Sequence, residues 1–235
     1  MKVVALLSGG LDSTTLVEYL IRSKHQVSAL GFNYGQRHRK ELLVAKGIAA
    51  RIGISYEVVD LSPLAKLLPG SSQTDDSVPV PEGKYDEESM KATVVPNRNM
   101  IMLSIAIGHA IAHDCEAVAY AAHAGDHAIY PDCRPEFVEK MGEAAALCDW
   151  KKVMIFRPFI NMTKADIAGL GVTYDGEYHR TWSCYAGREK HCGKCGTCIE
   201  RREAFYLAGV NDPTEYEDGT PSIERMVANN WHLPR

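Results

Sequence analysis

Near its start the chain makes one abrupt change of character. Lys2–Leu7 is apolar and β-branched, and it runs straight into Ser8-Gly9-Gly10-Leu11-Asp12-Ser13-Thr14-Thr15. A strand that stops in two glycines and resumes as a helix, here expected over Thr14–Lys24, leaves unpaired backbone N–H groups at the helix N-terminus, where the helix dipole adds positive potential. Phosphate fits that position. Gly9 and Gly10 let the backbone approach closely and adopt conformations closed to larger residues, and Ser8, Ser13 and Thr14 offer hydroxyl donors. Asp12 is out of place beside a polyanion unless it caps the helix or helps hold Mg²⁺. Gly-Gly alone also suits an ordinary capped turn, and the loop has neither the Lys of G-x-x-x-x-G-K-[ST] nor the spacing of G-x-G-x-x-G.

The pattern that follows alternates strands with helices. Gln26–Phe32 and Tyr56–Asp60 read as strands on either side of a helix over Arg39–Ile52 that Gly53 closes. Asn99–Asp114 and Arg134–Cys148 read as helices around a buried strand at Ala117–Ala122, and Val153–Phe156 as a fifth strand. Thr163-x-x-Asp166 has the form of a capping box opening a short helix to Leu170. Leu16, Leu20 and Ile21 fall at helical spacing on a core face. Ser62–Lys91 holds no lasting period and reads as a long functional loop. This alternation predicts an α/β fold: a Rossmann-like, five-stranded parallel sheet with helices on both faces. Ligands of such sheets bind beyond the carboxyl ends of the strands. The expected division is residues 1–175 for this sheet domain and 176–235 for a small C-terminal helical lobe.

That lobe is marked by cysteines. Of seven in the chain, Cys184, Cys192, Cys195 and Cys198 form C-x7-C-x2-C-x2-C. Four thiolates so close suit one tetrahedral Zn²⁺ with no open position, a structural site. An iron–sulfur cluster is the rival reading, and His191 could replace one cysteine only with a strained chelate. Cys115, Cys133 and Cys148 read as isolated thiols, His109 and His113 as surface or core histidines without a third ligand, and Tyr178, Trp182 and Tyr185 as packing for the lobe. The chain of 235 residues carries 26 basic and 30 acidic side chains, net charge -4, which argues against a generic nucleic-acid or membrane surface. No apolar run reaches the roughly 20 residues of a membrane span, and no signal-peptide pattern is visible, so a cytoplasmic protein is expected.

Ser-Gly-Gly-x-Asp-Ser, between an apolar strand and a helix, resembles the signature of the ATP pyrophosphatase (PP-loop) superfamily. The resemblance implies that ATP is cleaved between its α and β phosphates, and it carries ATP binding onto Leu7, Ser8, Gly9, Gly10, Leu11, Asp12, Ser13, Thr14, Thr15, Leu16 and Val17. Five further segments narrow it: FNYGQRHRKE (Phe32–Glu41), VVPNRNMIML (Val94–Leu103), GDHAIYPDCRPEFV (Gly125–Val138), KADI (Lys164–Ile167) and the cysteine motif. In this order they resemble the 7-cyano-7-deazaguanine synthase family, whose members make the nitrile precursor of queuosine. Two departures stand out. Asn97 replaces a glycine common in the family, and Ala-Gly-Asp-His-Ala-Ile precedes Tyr130 where Glu-Thr-Asp-Phe-Ser-Gly is usual.

The family resemblance implies conversion of 7-carboxy-7-deazaguanine and ammonium to the nitrile through adenylate and amide intermediates, with release of AMP and pyrophosphate. Such a substrate needs cations near its carboxylate. Arg98, Arg134 and Lys164 fall near strand carboxyl ends, Arg offering a bidentate fork and Lys a point charge. Asp126 or Asp132 could accept from the guanine-like edge, although Asp132 equally suits a cap for the helix near Arg134. Tyr34, Tyr130 or His127 could stack on the ring. Gln36, Arg37 and His38 could meet phosphate or substrate, and Asn99, beside Arg98, is a further candidate for substrate binding. Asp12, Arg98 and Lys164 are the candidate catalytic residues, with ATP, Mg²⁺ and one structural Zn²⁺ as cofactors. Free ammonium is the simpler nitrogen source because no glutaminase pattern is visible. No direct nucleic-acid partner is expected, and the family allows a homodimer. The alternatives are another PP-loop enzyme such as a tRNA-modifying thiolase, an offshoot joining a deazaguanine to another acceptor, or a non-catalytic nucleotide-binding module.

Overall fold

Val3, Val4 and Ala5 are wholly buried in β1 (Lys2–Leu6), as a strand covered on both faces requires. The computed structural model describes residues 1–84, 91–126, 130–174 and 176–234. Strand β1 lies in the middle of a parallel sheet, between β2 (Gln26–Asn33) and β4 (Ala117–Ala119). Adding β3 (Tyr56–Asp60) and β5 (Met154–Phe156) at the edges completes five strands in the order β3-β2-β1-β4-β5. Parallel strands of period two send alternate side chains to opposite faces. Val4 therefore joins Leu30 and Phe32 beneath α3 (Arg98–Ala112) and α4 (Pro135–Ala145), with Leu103, Ala106, Val138 and Met141 in one core. Val3 and Ala5 face the other way, toward Leu16 and Leu20 of α1 (Leu11–Arg22), Ala45 and Ala49 of α2 (Lys40–Ile52) and Ile167 of α5 (Lys164–Val172). Ala204 and Phe205 of α6 (Gly196–Leu207) enter that same core, and α7 (Ile223–Ala228) packs Met226 against Ile199 and Trp231.

The architecture expected from the sequence is the one observed, and the differences lie at element ends. Helix α1 starts at Leu11 rather than Thr14, because Gly10 takes the extended N-cap conformation and the Thr14 N–H already donates to the Gly10 carbonyl at 3.1 Å. Asp12, Ser13 and Thr14 are thus first-turn residues rather than loop. Strand β4 stops at Ala119, where its pairing with the three-residue β5 ends, so Tyr120–Ala122 are free to line a cavity. The capping box of α5 is present, with the Thr163 hydroxyl accepting from Asp166 N–H at 3.1 Å and Asp166 from Thr163 N–H at 2.8 Å. The segment after β3 is anchored: Ser71, Ser72 and Gln73 are fully buried. Residues 85–90 of the expected loop lie outside the described residues.

The chain passes from β2 and β3 on one side of β1 to β4 and β5 on the other. The carboxyl ends of β1 and β4 therefore flank the point where the strand order reverses, the place at which such sheets hold ligands.

Candidate active site

A cavity of about 270 Å³ opens at that point. Its floor is the turn from β1 into α1. Gly9 takes φ +88°, and a Cβ there would stand 2.5 Å from the Glu41 carbonyl oxygen, so only glycine lets the turn pack on α2. The Ser8 hydroxyl meets the Ser13 hydroxyl at 3.1 Å, and the N-cap residue, Gly10, has no side chain to cap the helix. The first turn of α1 is thus presented to the cavity without a capping group, the arrangement that accepts an oxyanion.

Charge concentrates beside this turn. Lys164, the first residue of α5, donates to Glu200 Oε2 at 2.7 Å and lies 3.4 Å from Asp12 Oδ2. The His123 Nε2 stands 3.9 Å from Asp12 Oδ2 and 3.5 Å from Asp126 Oδ2. The Gly125 N–H donates to His123 Nδ1 at 3.1 Å, which makes Nδ1 the acceptor and leaves Nε2–H as the donor toward the two carboxylates. Burial opposes ionisation of Asp12, but the Lys164 ammonium beside it outweighs that penalty and holds the carboxyl below its usual range. Burial dominates at Asp126 and pushes it up. For Lys164 the burial penalty is overcome by Asp12, Glu200 and Asp126, and the ammonium is held firmly charged. Asp12 Oδ1 is buried without a hydrogen-bond partner, a free oxygen ligand of the kind a hard divalent cation takes.

The opposite wall is built differently. Arg98, opening α3, donates to Gln73 Oε1 at 2.9 Å and to the Tyr34 hydroxyl at 3.3 Å, with its guanidinium 5.4 Å from the Tyr34 ring centre. Gln73 is itself set by the Thr93 carbonyl (2.7 Å) and the Tyr34 hydroxyl (2.9 Å), and the Tyr130 hydroxyl meets Thr93 Oγ1 at 2.9 Å. Among the described residues no carboxylate lies within ion-pairing distance of Arg98. Burial would favour loss of its proton, but the surrounding phenols and the Cys133 thiol stabilise the cation and push it up. Burial pushes the Tyr34 and Tyr185 phenols up in turn, so both stay neutral. Asn97, just before Arg98, has φ 58°. Asparagine tolerates this left-handed conformation after glycine best of the common residues, so the Asn97 departure preserves the backbone that aims Arg98.

Of the residues singled out from sequence, Leu7, Ser8, Gly10, Leu11, Asp12, Ser13, Tyr34, His38, Arg98, Asn99, Asp126, Tyr130 and Lys164 line this one cavity. Others do not. Thr14 and Thr15 turn their hydroxyls to the Gly10 and Leu11 carbonyls, Thr15 also meets the Tyr178 hydroxyl at 2.7 Å, and Leu16 and Val17 are core. Gln36 is buried against Tyr34 N–H, the Phe32 carbonyl and Glu41, while Arg37 pins residues 75–78 through the Val78 carbonyl at 2.8 Å and Asp76 at 3.0 Å. Asp132 accepts from Asn99 N–H at 3.2 Å, capping α3 rather than the helix that follows it. Arg134 is exposed outside the cavity. His127 lies outside the described residues. Sequence reasoning passed over Gln73, His123, Tyr185 and Glu200. Tyr185 was expected among the lobe's packing residues, and Glu200 stands two positions beyond the last cysteine, a spacing that could have flagged it.

The four cysteine sulfurs all lie within 4.8 Å of one another and are buried. Cys192 and Cys198 sulfurs are 3.9 Å apart, and tetrahedral Zn–S bonds of about 2.3 Å call for about 3.8 Å. The donor set thus fits a closed four-thiolate metal site of the zinc type, with His191 outside it, its ring tilted against Trp182 with centroids 4.3 Å apart. The cysteine segment is tied to the turn after β1 by the Trp182 backbone N–H, which donates to the Gly9 carbonyl at 2.9 Å.

Comparison with known proteins bears on the whole chain. The family model described as "Queuosine biosynthesis protein QueC" matches residues 2–209. A 7-cyano-7-deazaguanine synthase of Pseudoalteromonas translucida is 51% identical over 216 residues, 92% of this chain and 99% of the relative. That of Rhizobium meliloti is 51% identical over 220 residues, 93% of each. Among solved structures, NMN synthetase from Francisella tularensis aligns with TM-score 0.53 at 14% identity, covering 98% of this chain and 83% of that one. The U34-tRNA thiolase NcsA from Methanococcus maripaludis, with its [4Fe-4S] cluster, aligns with TM-score 0.51 at 20% identity, covering 79% of this chain and 61% of that one. At such identities these two structures share the fold alone. No helix among the described residues is long and apolar enough to cross a membrane.

Proposed function

The chain belongs to the QueC family of 7-cyano-7-deazaguanine synthases, ATP-dependent ligases of queuosine biosynthesis, and from that premise we propose how its own residues divide the work. One observation carries the reading: a single cavity sets an uncapped helix N-terminus flanked by Asp12 and Lys164 opposite an Arg98 that no described carboxylate neutralises.

The triphosphate of ATP accepts from the first-turn N–H groups of α1 and from the Ser8 and Ser13 hydroxyls, and Lys164 balances charge on the α-phosphate. The local surplus of carboxylate makes a divalent cation necessary for a polyanion to settle there. Asp12 would hold Mg²⁺ through its unpartnered Oδ1, and the ion would neutralise phosphate oxygens. Arg98 takes the carboxylate of 7-carboxy-7-deazaguanine in its guanidinium fork. Tyr34, Tyr130 and Tyr185 wall the planar ring, and Asp126 accepts from its guanine-like edge. The carboxylate oxygen then attacks the α-phosphorus and pyrophosphate leaves. Ammonia displaces AMP from the acyl adenylate and the amide forms. A second ATP adenylates the amide oxygen with loss of one N–H proton, and departure of AMP with the remaining N–H proton leaves the nitrile. The buried walls keep water from the adenylates. In the C-terminal lobe the cysteines hold Zn²⁺ in a structural role. We extend the reading to free ammonium as nitrogen source, a homodimeric assembly and a cytoplasmic location, as the family resemblance suggests.

Incubation with ATP, Mg²⁺, ammonium and 7-carboxy-7-deazaguanine tests this. Mass analysis is expected to show the nitrile, with one AMP released for each activation. Absence of both products would overturn the reading.

A further inference from the structure

Lys164 has an awkward seat. It is the first residue of α5, where the helix dipole disfavours a cation. The capping box satisfies backbone and the Thr163 hydroxyl only. What holds the ammonium is a pair of carboxylates on other elements: Glu200 at 2.7 Å and Asp12 at 3.4 Å. The two contacts differ in strength, since the first is a short charge-assisted hydrogen bond and the second is a longer ion pair.

Glu200 sits on a rigid support. Helix α6 begins between two cysteine ligands, Cys195 and Cys198, and Glu200 follows within the next turn. Its neighbour Arg201 is fully buried and donates to the Thr181 hydroxyl at 2.8 Å, the Tyr178 carbonyl at 2.8 Å and the Thr214 hydroxyl at 2.7 Å. Both Glu200 and Thr197, on this helix, line the cavity.

We infer that Glu200 is a positioning residue: from the helix that the four-cysteine centre anchors, it holds Lys164 at the phosphate site and keeps it off Asp12. Without the Glu200 charge, Asp12 is the nearest partner left to Lys164. The ammonium then closes onto Asp12, leaves the α-phosphate position, and occupies the carboxylate that the divalent cation needs. The inference rests on the assignment of Lys164 to phosphate neutralisation.

A double-mutant cycle tests it, with AMP formation, metal content and thermal midpoint measured for each protein. Glu200→Gln is expected to lower kcat for AMP formation about 10²-fold, the scale of an ångström-sized misplacement. The Mg²⁺ concentration for half-maximal rate should rise, while the KM for 7-carboxy-7-deazaguanine, metal content and thermal midpoint stay at native values. Glu200→Asp restores part of the loss. In a Lys164→Met background, Glu200→Gln is expected to cost less than about twofold more, because its effect passes through the missing ammonium. Native kcat in Glu200→Gln would overturn the inference. So would full additivity with Lys164→Met, or loss of metal in step with activity. Native AMP formation by Lys164→Met alone would instead overturn the assignment of Lys164 and remove the ground for the inference.

Discussion

The two ends of the cavity handle charge in opposite ways. At the α1 end, Asp12, Lys164, Glu200, His123 and Asp126 crowd together and compensate one another. At the α3 end, Arg98 has no carboxylate partner among the described residues and is held by a phenol and an amide oxygen. A compensated cluster can admit a polyanion and its cation by exchanging internal partners for ligand ones. An isolated buried cation gains most from one monovalent oxyanion that arrives without a counterion. The first design suits a triphosphate used in both activations, and the second a carboxylate present only in the first.

The largest effect should break the symmetry between the two cations. Lys164→Met is expected to lower kcat by about 10²–10³-fold, the cost of removing one donor to developing charge. It should do so equally whether AMP release is followed from the acid or from the amide. Arg98→Met should be milder and selective. Losing a charge-assisted pair, about 1.5–3 kcal/mol, lowers kcat/KM for the acid by about 10–10²-fold, while the neutral amide is converted at close to the native rate. Equal losses on both substrates would place Arg98 on the phosphates and erase the contrast.

The smallest effect separates the two aspartates beside His123. Burial raises Asp126 above the ordinary 3.8, so the native state keeps that proton longer than the unfolded chain, and ionisation weakens the fold as pH rises through the raised value. Asp12 has the opposite sign: its lowered value contributes stability at neutral pH that is lost as pH falls through it. Scanning calorimetry of the ligand-free protein should show Asp126→Asn melting a few degrees above native at about pH 7.5 and level with it near about pH 3, where both states are protonated. Asp12→Asn should melt below native at the higher pH.

Much of this was legible in the chain itself. β1 with its glycine turn, the alternation of strand and helix, and the cysteine spacing are local patterns, and local patterns survive in one dimension. So does the capping box of α5. What was not legible depends on contacts between distant segments. Gln73 carries no signal within its own stretch, yet it orients Arg98 from 25 residues away. Gln36, Arg37 and Asp132 have the chemistry of ligand contacts, but neighbouring segments claimed them for backbone anchoring and for capping α3.

The sequence by itself determined the parallel sheet, the glycine turn after β1 and the four-cysteine cluster, because each is set by residues close in the chain. Only the tertiary structure decided which cation meets which anion. It brought Glu200 from α6 to Lys164 and Asp12, and it set Arg98 where no described carboxylate pairs with it, because ion pairing in a buried site depends on distances of a few ångströms between helices that the chain order does not constrain.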